Sequence, residues 1–361
     1  MIDYSQVFKR DPYCLNREEK HEFLNEYLRH LTKHHYNSCD EYRRIIDSKG
    51  IEVNNISNYY DIPFLPVRMF KEFNLVSVEA ENVLKTMMSS GTTGNKVSKI
   101  YLNKKTALSQ TKALGKIISS FIGSKRLPMI ILDTSEVVKN RAMFSARGAG
   151  ILGFQMFSYD RVYALNDDMS LNIDSLVTFL EKHKNESILV FGFTFMIWQH
   201  FYTELKNSGK KIDLSNGILI HGGGWKNMMD KAVTAEKFKQ GLNSICGIKK
   251  IYDYYGMVEQ TGSIYMECEC GHFHSSIYSD IIVRNPFDFS VSSIGEKGII
   301  EVVSILPESY PGHILLTEDE GILLGEDDCA CGRLGKYFKI TGRIKNSEIR
   351  GCSDTYADKF K

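Results

Sequence analysis

The segment Ser89-Ser90-Gly91-Thr92-Thr93-Gly94-Asn95-Lys96 packs two glycines, four hydroxyls and a lysine into eight residues between two structured stretches. It reads as a phosphate cradle. Gly91 and Gly94 permit backbone conformations closed to other residues, so peptide N–H groups can converge on an anion, while the hydroxyls donate further hydrogen bonds and Lys96 adds charge. The segment is not a P-loop: that pattern, G-x-x-x-x-G-K-[ST], sets glycine directly before lysine, and here Asn95 separates Gly94 from Lys96. An ordinary loop would have the same composition, so the rest of the chain must decide.

With 361 residues the chain can bury a large core, as one large domain or two to three modules. Hydrophobic residues at 43% and charged residues at 25% are those of a globular protein. Lys+Arg of 45 against Asp+Glu of 44 leaves a formal charge of +1, so no overall field recruits nucleic acid or an anionic membrane. The N-terminus lacks a basic-then-apolar layout, and the longest apolar stretch, Ile188 to Trp198, is too short to span a bilayer. The expectation is a cytoplasmic protein. Its eight cysteines should then stay reduced, as metal ligands, nucleophiles or core residues.

Residues 16 to 48 carry Phe23, Leu24, Tyr27, Leu28 and Leu31 at helical spacing, which predicts amphipathic helices, with His34-His35 at a solvated helix end. After the cradle, Lys99 to Leu102 predicts a short strand and Lys104 to Phe121 a helix. Four runs, Pro128 to Asp133, Ile188 to Gly192, Gly217 to His221 and Ile251 to Tyr255, look like buried parallel strands alternating with helices such as Ile173 to Lys184 and Phe195 to Asn207. That alternation predicts an α/β architecture with ligands at the carboxyl ends of the strands. Past residue 270, Ser279 to Arg284, Gly298 to Ser304 and Gly312 to Thr317 predict an antiparallel, β-rich subdomain.

Several loops carry candidate chemistry. Gly222-Gly223-Gly224-Trp225 follows a strand, and bare backbone there would let a flat group lie close; a tight strand-to-helix turn is the plainer reading. Tyr254-Tyr255-Gly256-Met257-Val258-Glu259 ends the next strand. Tyr255 could stack on a base and Glu259 hold a metal ion against phosphate oxygens, or they could be packing and a solvated charge. Thr317-Glu318-Asp319-Glu320-Gly321 reads as an acidic turn in which Asp319 could accept both ribose hydroxyls. Gly342-Arg343-Ile344-Lys345 follows a short strand.

Taken in order, S-G-T-T-G, the glycine turn, Y-G-x-x-E, the acidic turn and G-R-x-K resemble the adenylate-forming superfamily. Met88-Ser89-Ser90-Gly91-Thr92, His221-Gly222-Gly223-Gly224-Trp225-Lys226 and Arg350-Gly351-Cys352-Ser353 look closest to the acyl-protein synthetase (LuxE) family and its phenylacetate-CoA ligase relatives, over about Asp61 to the end. The resemblance implies an α/β fold of the adenylate-forming N-terminal-domain type, with a β-rich subdomain and without the usual mobile C-terminal domain. It divides the chain into an N-terminal helical region (1–75), a nucleotide- and acyl-binding core (76–265), a β-rich subdomain with cysteine pairs (266–342) and a short tail carrying Cys352 (343–361). It also implies that Ser89 through Gly94 and Lys96 hold the ATP β- and γ-phosphates, Tyr255 the adenine, Glu259 the Mg2+ and Asp319 the ribose, with Gly222, Gly223, Gly224, Gly256 and Arg343 also among the cofactor-binding residues. Only 18 residues follow Arg343, so the lysine usually supplied by a C-terminal domain has no direct counterpart; Lys345, Lys96 and Lys99 are the candidates.

The activity so implied is ATP-dependent conversion of a carboxylic acid to an acyl-adenylate. The acyl group then passes to Cys352, whose thiol Arg350 would acidify, and on to a partner such as an acyl reductase or an acyl carrier. Coenzyme A or a carrier-protein thiol as direct acceptor is the alternative; a zinc-stabilised, non-enzymatic binding module is a third reading. The acid itself is open. The aromatics of Phe191-Gly192-Phe193-Thr194-Phe195 suit an apolar chain but equally suit plain core, whereas Arg147 could bind a second acidic group.

Cys268-Glu269-Cys270-Gly271 and Cys329-Ala330-Cys331-Gly332 repeat one C-x-C-G pattern. Paired thiolate turns suit a tetrahedral, structural Zn2+, with His272 and His274 as competing ligands and metal-free cysteines as the other possibility. Phenylacetate-CoA ligase relatives resemble this arrangement, whereas luminescence-type acyl-protein synthetases generally lack it. Cys14, Cys39 and Cys246 show no grouping and are expected to be buried or incidental.

Overall fold

Residues 4–89, 97–139, 146–225 and 232–344 are described by the computed structural model. They divide into two units, Met1–Ile117 with Gly256–Lys361, and Ile118–Tyr255. The first begins with helix α1 (Arg17–Ser38), fixed at its start by a capping box: Asn16 accepts the Glu19 N–H and Glu19 accepts the Asn16 N–H. Leu24, Leu28 and Leu31 are fully buried on one face of α1, as their spacing requires. Helix α2 (Asp40–Ser48) follows. His35 is also fully buried, against the expectation of a solvated helix end, because Ser77 Oγ lies 2.8 Å from its Nδ1 and the Pro307 carbonyl 3.0 Å from its Nε2. Short strands β1 (Leu65–Pro66), β2 (Lys85–Met88) and β3 (Lys99–Leu102) come next, β2 and β3 pairing as an antiparallel hairpin. Helix α3 spans Lys104–Ile122.

The second unit is built on five parallel strands: β4 (Leu127–Thr134), β5 (Ser158–Leu165), β6 (Ile188–Phe193), β7 (Gly217–Gly222) and β8 (Lys250–Tyr255). Their order is β8-β7-β6-β4-β5. Every residue of β6 and β7 is buried, which is why both read as unbroken apolar runs. Helices α4 (Ala146–Phe154), α5 (Ile173–Lys182) and α6 (Ala235–Cys246) belong to the same unit. A helical stretch from Thr194 to Ser208 leaves the end of β6 and turns π-helical over Ile197–Thr203, with Trp198 and Tyr202 stacked at 4.1 Å.

The first unit resumes with β9 (Tyr265–Glu267), β10 (Phe273–His274), β11 (Ser279–Arg284), β12 (Lys297–Ser304), β13 (Ile314–Glu326) and β14 (Lys336–Arg343). They pair antiparallel in the order β11-β12-β13-β14-β10-β9, and β1 joins β13 in parallel. Thr317 to Gly321 lies inside β13, so the acidic segment expected as a turn is extended strand. No described helix is long and apolar enough to cross a membrane.

Candidate active site

In the first unit the β2–β3 hairpin brings the flanks of the predicted cradle together. Ser89 N–H donates to the Ser98 carbonyl at 3.2 Å, and Ser98 N–H donates to Ser89 Oγ at 3.0 Å. Ser90, Gly91, Thr92, Thr93, Gly94 and Lys96 lie outside the described residues. Ser98, fully buried, sets its hydroxyl beside the carboxylate of Glu259. Glu259 is only 6% exposed, on a single turn, Val258–Gln260. Burial raises its carboxyl above the usual glutamate range, against the pull of Ser98 and Lys71.

That turn is held from both sides. Gln260 Nε2 donates to the carbonyls of Gly312 at 2.8 Å and Val302 at 3.1 Å. Gly262 has φ +87°, and a Cβ there would stand 2.5 Å from the Gln110 carbonyl oxygen of α3. Neither Ser98 nor Gly262 stands out in the sequence, since each owes its place to a partner distant along the chain.

Asp319 and Arg343, predicted from separate motifs, are Cα partners across β13 and β14. Arg343 Nη2 donates to Glu318 Oε2 at 2.9 Å and its Nε lies 3.9 Å from Asp319 Oδ1. Asp319 N–H donates to Thr317 Oγ1 at 3.1 Å. This end of the hairpin therefore presents two carboxylates around one guanidinium. Lys345 and Cys352 lie outside the described residues.

In the second unit the register sets Phe193 beside Gly222 and Gly222 beside Tyr254, at the carboxyl ends of β6, β7 and β8. A Cβ on Gly222 would come 2.7 Å from the Tyr254 ring, and one on Gly223 2.9 Å from the Phe193 ring. The glycines are thus required by aromatic rings lying on bare backbone. Tyr255 follows at the end of β8 and is half-buried. Phe154 stacks on Phe191 at 4.0 Å, and both rings are buried. His221 Nδ1 lies 3.0 Å from Thr194 Oγ1 and 3.6 Å from Asp253 Oδ1. Burial pulls His221 down to about 3, so the imidazole is neutral at physiological pH. Buried Asp133 sits 3.1 Å from Arg147 Nε. This pairing was not foreseen, since nothing in either local motif names the other.

The cysteine turns gather in the first unit. One ligand atom each from Cys268, His274, Cys329 and Cys331 falls within 4.8 Å of the others. Cys270 is exposed. Of the ungrouped cysteines, Cys39 and Cys246 are buried and Cys14 is exposed.

An α/β unit with glycine turns at its strand ends, followed by an antiparallel β-rich region carrying paired acidic and arginine positions, is the architecture of the adenylate-forming ligases. The fold is shared with 2-hydroxyisobutyryl-CoA ligase in complex with 2-HIB-AMP and CoA, at a TM-score of 0.72 and 15% identity over 97% of this chain and 76% of that one. It is also shared, less fully, with a long-chain-fatty-acid-CoA ligase from Archaeoglobus fulgidus, at a TM-score of 0.51 and 15% identity over 73% and 52% of the two chains. The family model described as acyl-protein synthetase, LuxE, matches residues 2–361, and the chain belongs to that family of ligases. Similar relatives are the long-chain-fatty-acid--luciferin-component ligases of Vibrio harveyi, 20% identical over 98% of this chain and 92% of the relative, and of Aliivibrio fischeri, 24% identical over the same shares. Family and fold together support ATP-dependent activation of an acyl group.

Proposed function

We propose that the chain converts a fatty acid to its acyl-adenylate and takes the acyl group onto Cys352. The observation that carries this reading is the contact between the foot of the Ser/Thr/Gly loop and Glu259. Ser98, paired to Ser89 at that foot, stands against a buried carboxylate raised by its surroundings. A buried carboxylate on a braced turn, near the residues that flank a segment rich in anion donors, fits a divalent cation carried by triphosphate.

Ser89 through Gly94 and Lys96 would hold the β- and γ-phosphates, and Glu259 would hold Mg2+, which when bound neutralises charge on the pyrophosphate. Tyr255 and Gly256, with the bare backbone of Gly222, Gly223 and Gly224, would seat the adenine. Asp319 would accept the ribose hydroxyls, its place fixed by Arg343. The substrate carboxylate oxygen attacks the α-phosphorus, the bond to the β-phosphate oxygen breaks and pyrophosphate leaves; Lys345 would stabilise the charge at the α-phosphate. The Cys352 thiolate then attacks the acyl carbon, AMP departs and a thioester remains. A cytoplasmic acyl reductase or acyl carrier would receive it. The long-chain-fatty-acid--luciferin-component ligases to which the chain is similar support a fatty acid as the substrate. The cysteine turns would hold a structural Zn2+.

Intact-protein mass after incubation with magnesium, ATP and a panel of fatty, aryl and short polar acids tests the reading. A hydroxylamine-labile adduct of fatty-acyl mass is expected on wild type and not on Cys352→Ala. Pyrophosphate release without an adduct, accelerated equally by coenzyme A in both proteins, would overturn self-acylation.

A further inference from the structure

Four cysteines in two C-x-C-G turns suggest four thiolates, but the folded chain offers a different set. We propose that the metal site consists of three thiolates and one imidazole, Cys268, Cys329, Cys331 and His274, with Cys270 and His272 outside the coordination shell. The proposal rests on the reading that these turns hold zinc and fixes which atoms do so.

Two of the six separations between the proposed ligand atoms can be set against a tetrahedron, and all six are within 4.8 Å. With zinc–sulfur bonds of about 2.3 Å and zinc–nitrogen bonds of about 2.0 Å, tetrahedral angles separate two sulfurs by about 3.8 Å and a sulfur from a nitrogen by about 3.5 Å. The Cys268 and Cys329 sulfurs are 4.0 Å apart, and Cys331 Sγ is 3.4 Å from His274 Nε2. Three of the four residues are buried and Cys331 is half-buried, while Cys270 is exposed.

The backbone explains the exchange of a cysteine for a histidine. Cys268-Glu269-Cys270-Gly271 forms the tight turn between β9 and β10, closed by Gly271 N–H donating to the Cys268 carbonyl at 2.9 Å, with Gly271 at φ +78°. Strand alternation along β10 then sends Phe273 to one face, against Phe338, and His272 and His274 to the other, where both rings stack on Tyr337. His274 lies deeper, with no exposed surface. His272 Nδ1 is 3.5 Å from Cys329 Sγ but is not in the set of four ligand atoms that all lie within 4.8 Å of one another, so it can donate to a metal-bound thiolate without completing the shell. Arg333, two residues beyond Cys331, hydrogen-bonds that sulfur and is paired with Glu269 at 3.2 Å through its Nη2.

The site would clasp the β9–β10 turn to the turn joining β13 and β14. The β13–β14 pairing has register shifts at Glu320/Gly321 and Leu323/Gly325, between that turn and Asp319. A clasp at the turn end holds a twice-interrupted ladder in one register.

Zinc content and affinity of the purified full-length chain test the assignment, with X-ray absorption on the zinc-loaded wild type as a measurement independent of any variant's folding. The expected result is about one zinc per chain in a shell of three sulfurs and one nitrogen. Affinity should fall about tenfold or more in Cys268→Ser, Cys329→Ser, Cys331→Ser and His274→Ala, and less in Cys270→Ser and His272→Ala. Chelation should speed amide exchange in residues 268–274 and 327–335 and leave the parallel strands unchanged. Four sulfurs in the shell, with zinc lost in Cys270→Ser and kept in His274→Ala, would overturn the ligand set and leave the zinc reading standing. A wild type that binds neither zinc nor cobalt through thiolates would overturn both.

Discussion

Replacing Asp280 by asparagine should cost this protein about 3 kcal/mol at pH 7, at the low end of the range for breaking a buried ion pair from one side. Asp280 is buried between two buried lysines: Lys336 Nζ donates to Oδ2 at 2.6 Å and Lys20 Nζ lies 3.4 Å from Oδ1. Tyr59 OH donates to Oδ2 at 2.6 Å. Burial alone would raise the Asp280 carboxyl, but the Lys336 and Lys20 ammoniums outweigh it and bring it down from 3.8 to about 2. A downward shift of that size is worth about 2 kcal/mol. Asparagine keeps the shape and leaves both ammoniums without their counter-charge. The loss stays near the low end because burial already lowers Lys20, which can shed its proton when the carboxylate is gone. Since the folded carboxyl titrates near 2 and the unfolded one near 3.9, the contribution is complete above about pH 4 and disappears as pH falls through about 2. Urea unfolding followed by far-ultraviolet dichroism is the assay, because both tryptophans, Trp198 and Trp225, lie in the other unit. A second change, Lys20→Met, made on Asp280→Asn should restore at least about half of the loss. An Asp280→Asn protein within about 1 kcal/mol of wild type at pH 7, or a double variant weaker than the single one, would refute the reasoning.

Glu259→Gln should lower pyrophosphate exchange by about a hundredfold while leaving the melting temperature equal or higher, because burial already disfavours this charge; a destabilised but active variant would contradict the cation role. Gly262→Ala should cost about 2–4 kcal/mol, combining a left-handed backbone with a Cβ 2.5 Å from the Gln110 carbonyl oxygen, as read from the urea midpoint. Gly222→Ala, whose Cβ would press into the Tyr254 ring at 2.7 Å, should raise the KM for ATP more than it lowers stability. Arg147→Met should lower stability, because it leaves Asp133 buried and unpaired, yet leave fatty-acid adenylation per folded molecule within about threefold of wild type if the arginine only neutralises Asp133, whereas an arginine that reads a substrate carboxylate would show a far larger rise in KM.

The second unit was legible because parallel strands buried on both faces advertise themselves: β4, β6, β7 and β8 are apolar runs closed by glycine or a polar residue. Strand β5 escaped notice because it pairs with β4 alone among the described residues and leaves half its positions toward solvent, so Ser158-Tyr159-Asp160-Arg161 has no such signature. Thr317 to Gly321 reads locally as a turn, yet pairing with β12 and β14 holds it extended. What sequence could not give was partnership at a distance: Ser98 with Glu259, Gly262 with Gln110, Asp133 with Arg147.

The same limit governed Arg147, and lifting it bears on the substrate. Read alone, an arginine in a glycine-rich helix start is a ready receptor for a second carboxylate, which would make the acid small and polar. In the fold its Nε is 3.1 Å from a buried Asp133, and its Nη1 lies 4.0 Å from Met196 Sδ. A substrate carboxylate could take the guanidinium only by leaving Asp133 buried and unpaired, at about 3–5 kcal/mol, more than one exposed ion pair returns. The charge is therefore spent within the protein. At the carboxyl ends of β6 to β8, Phe154, Phe191 and Phe193 are buried and pack with Tyr254 on glycine backbone, an apolar setting. Such a setting has nothing to offer a second charge, because a carboxylate placed there would be desolvated and unpaired.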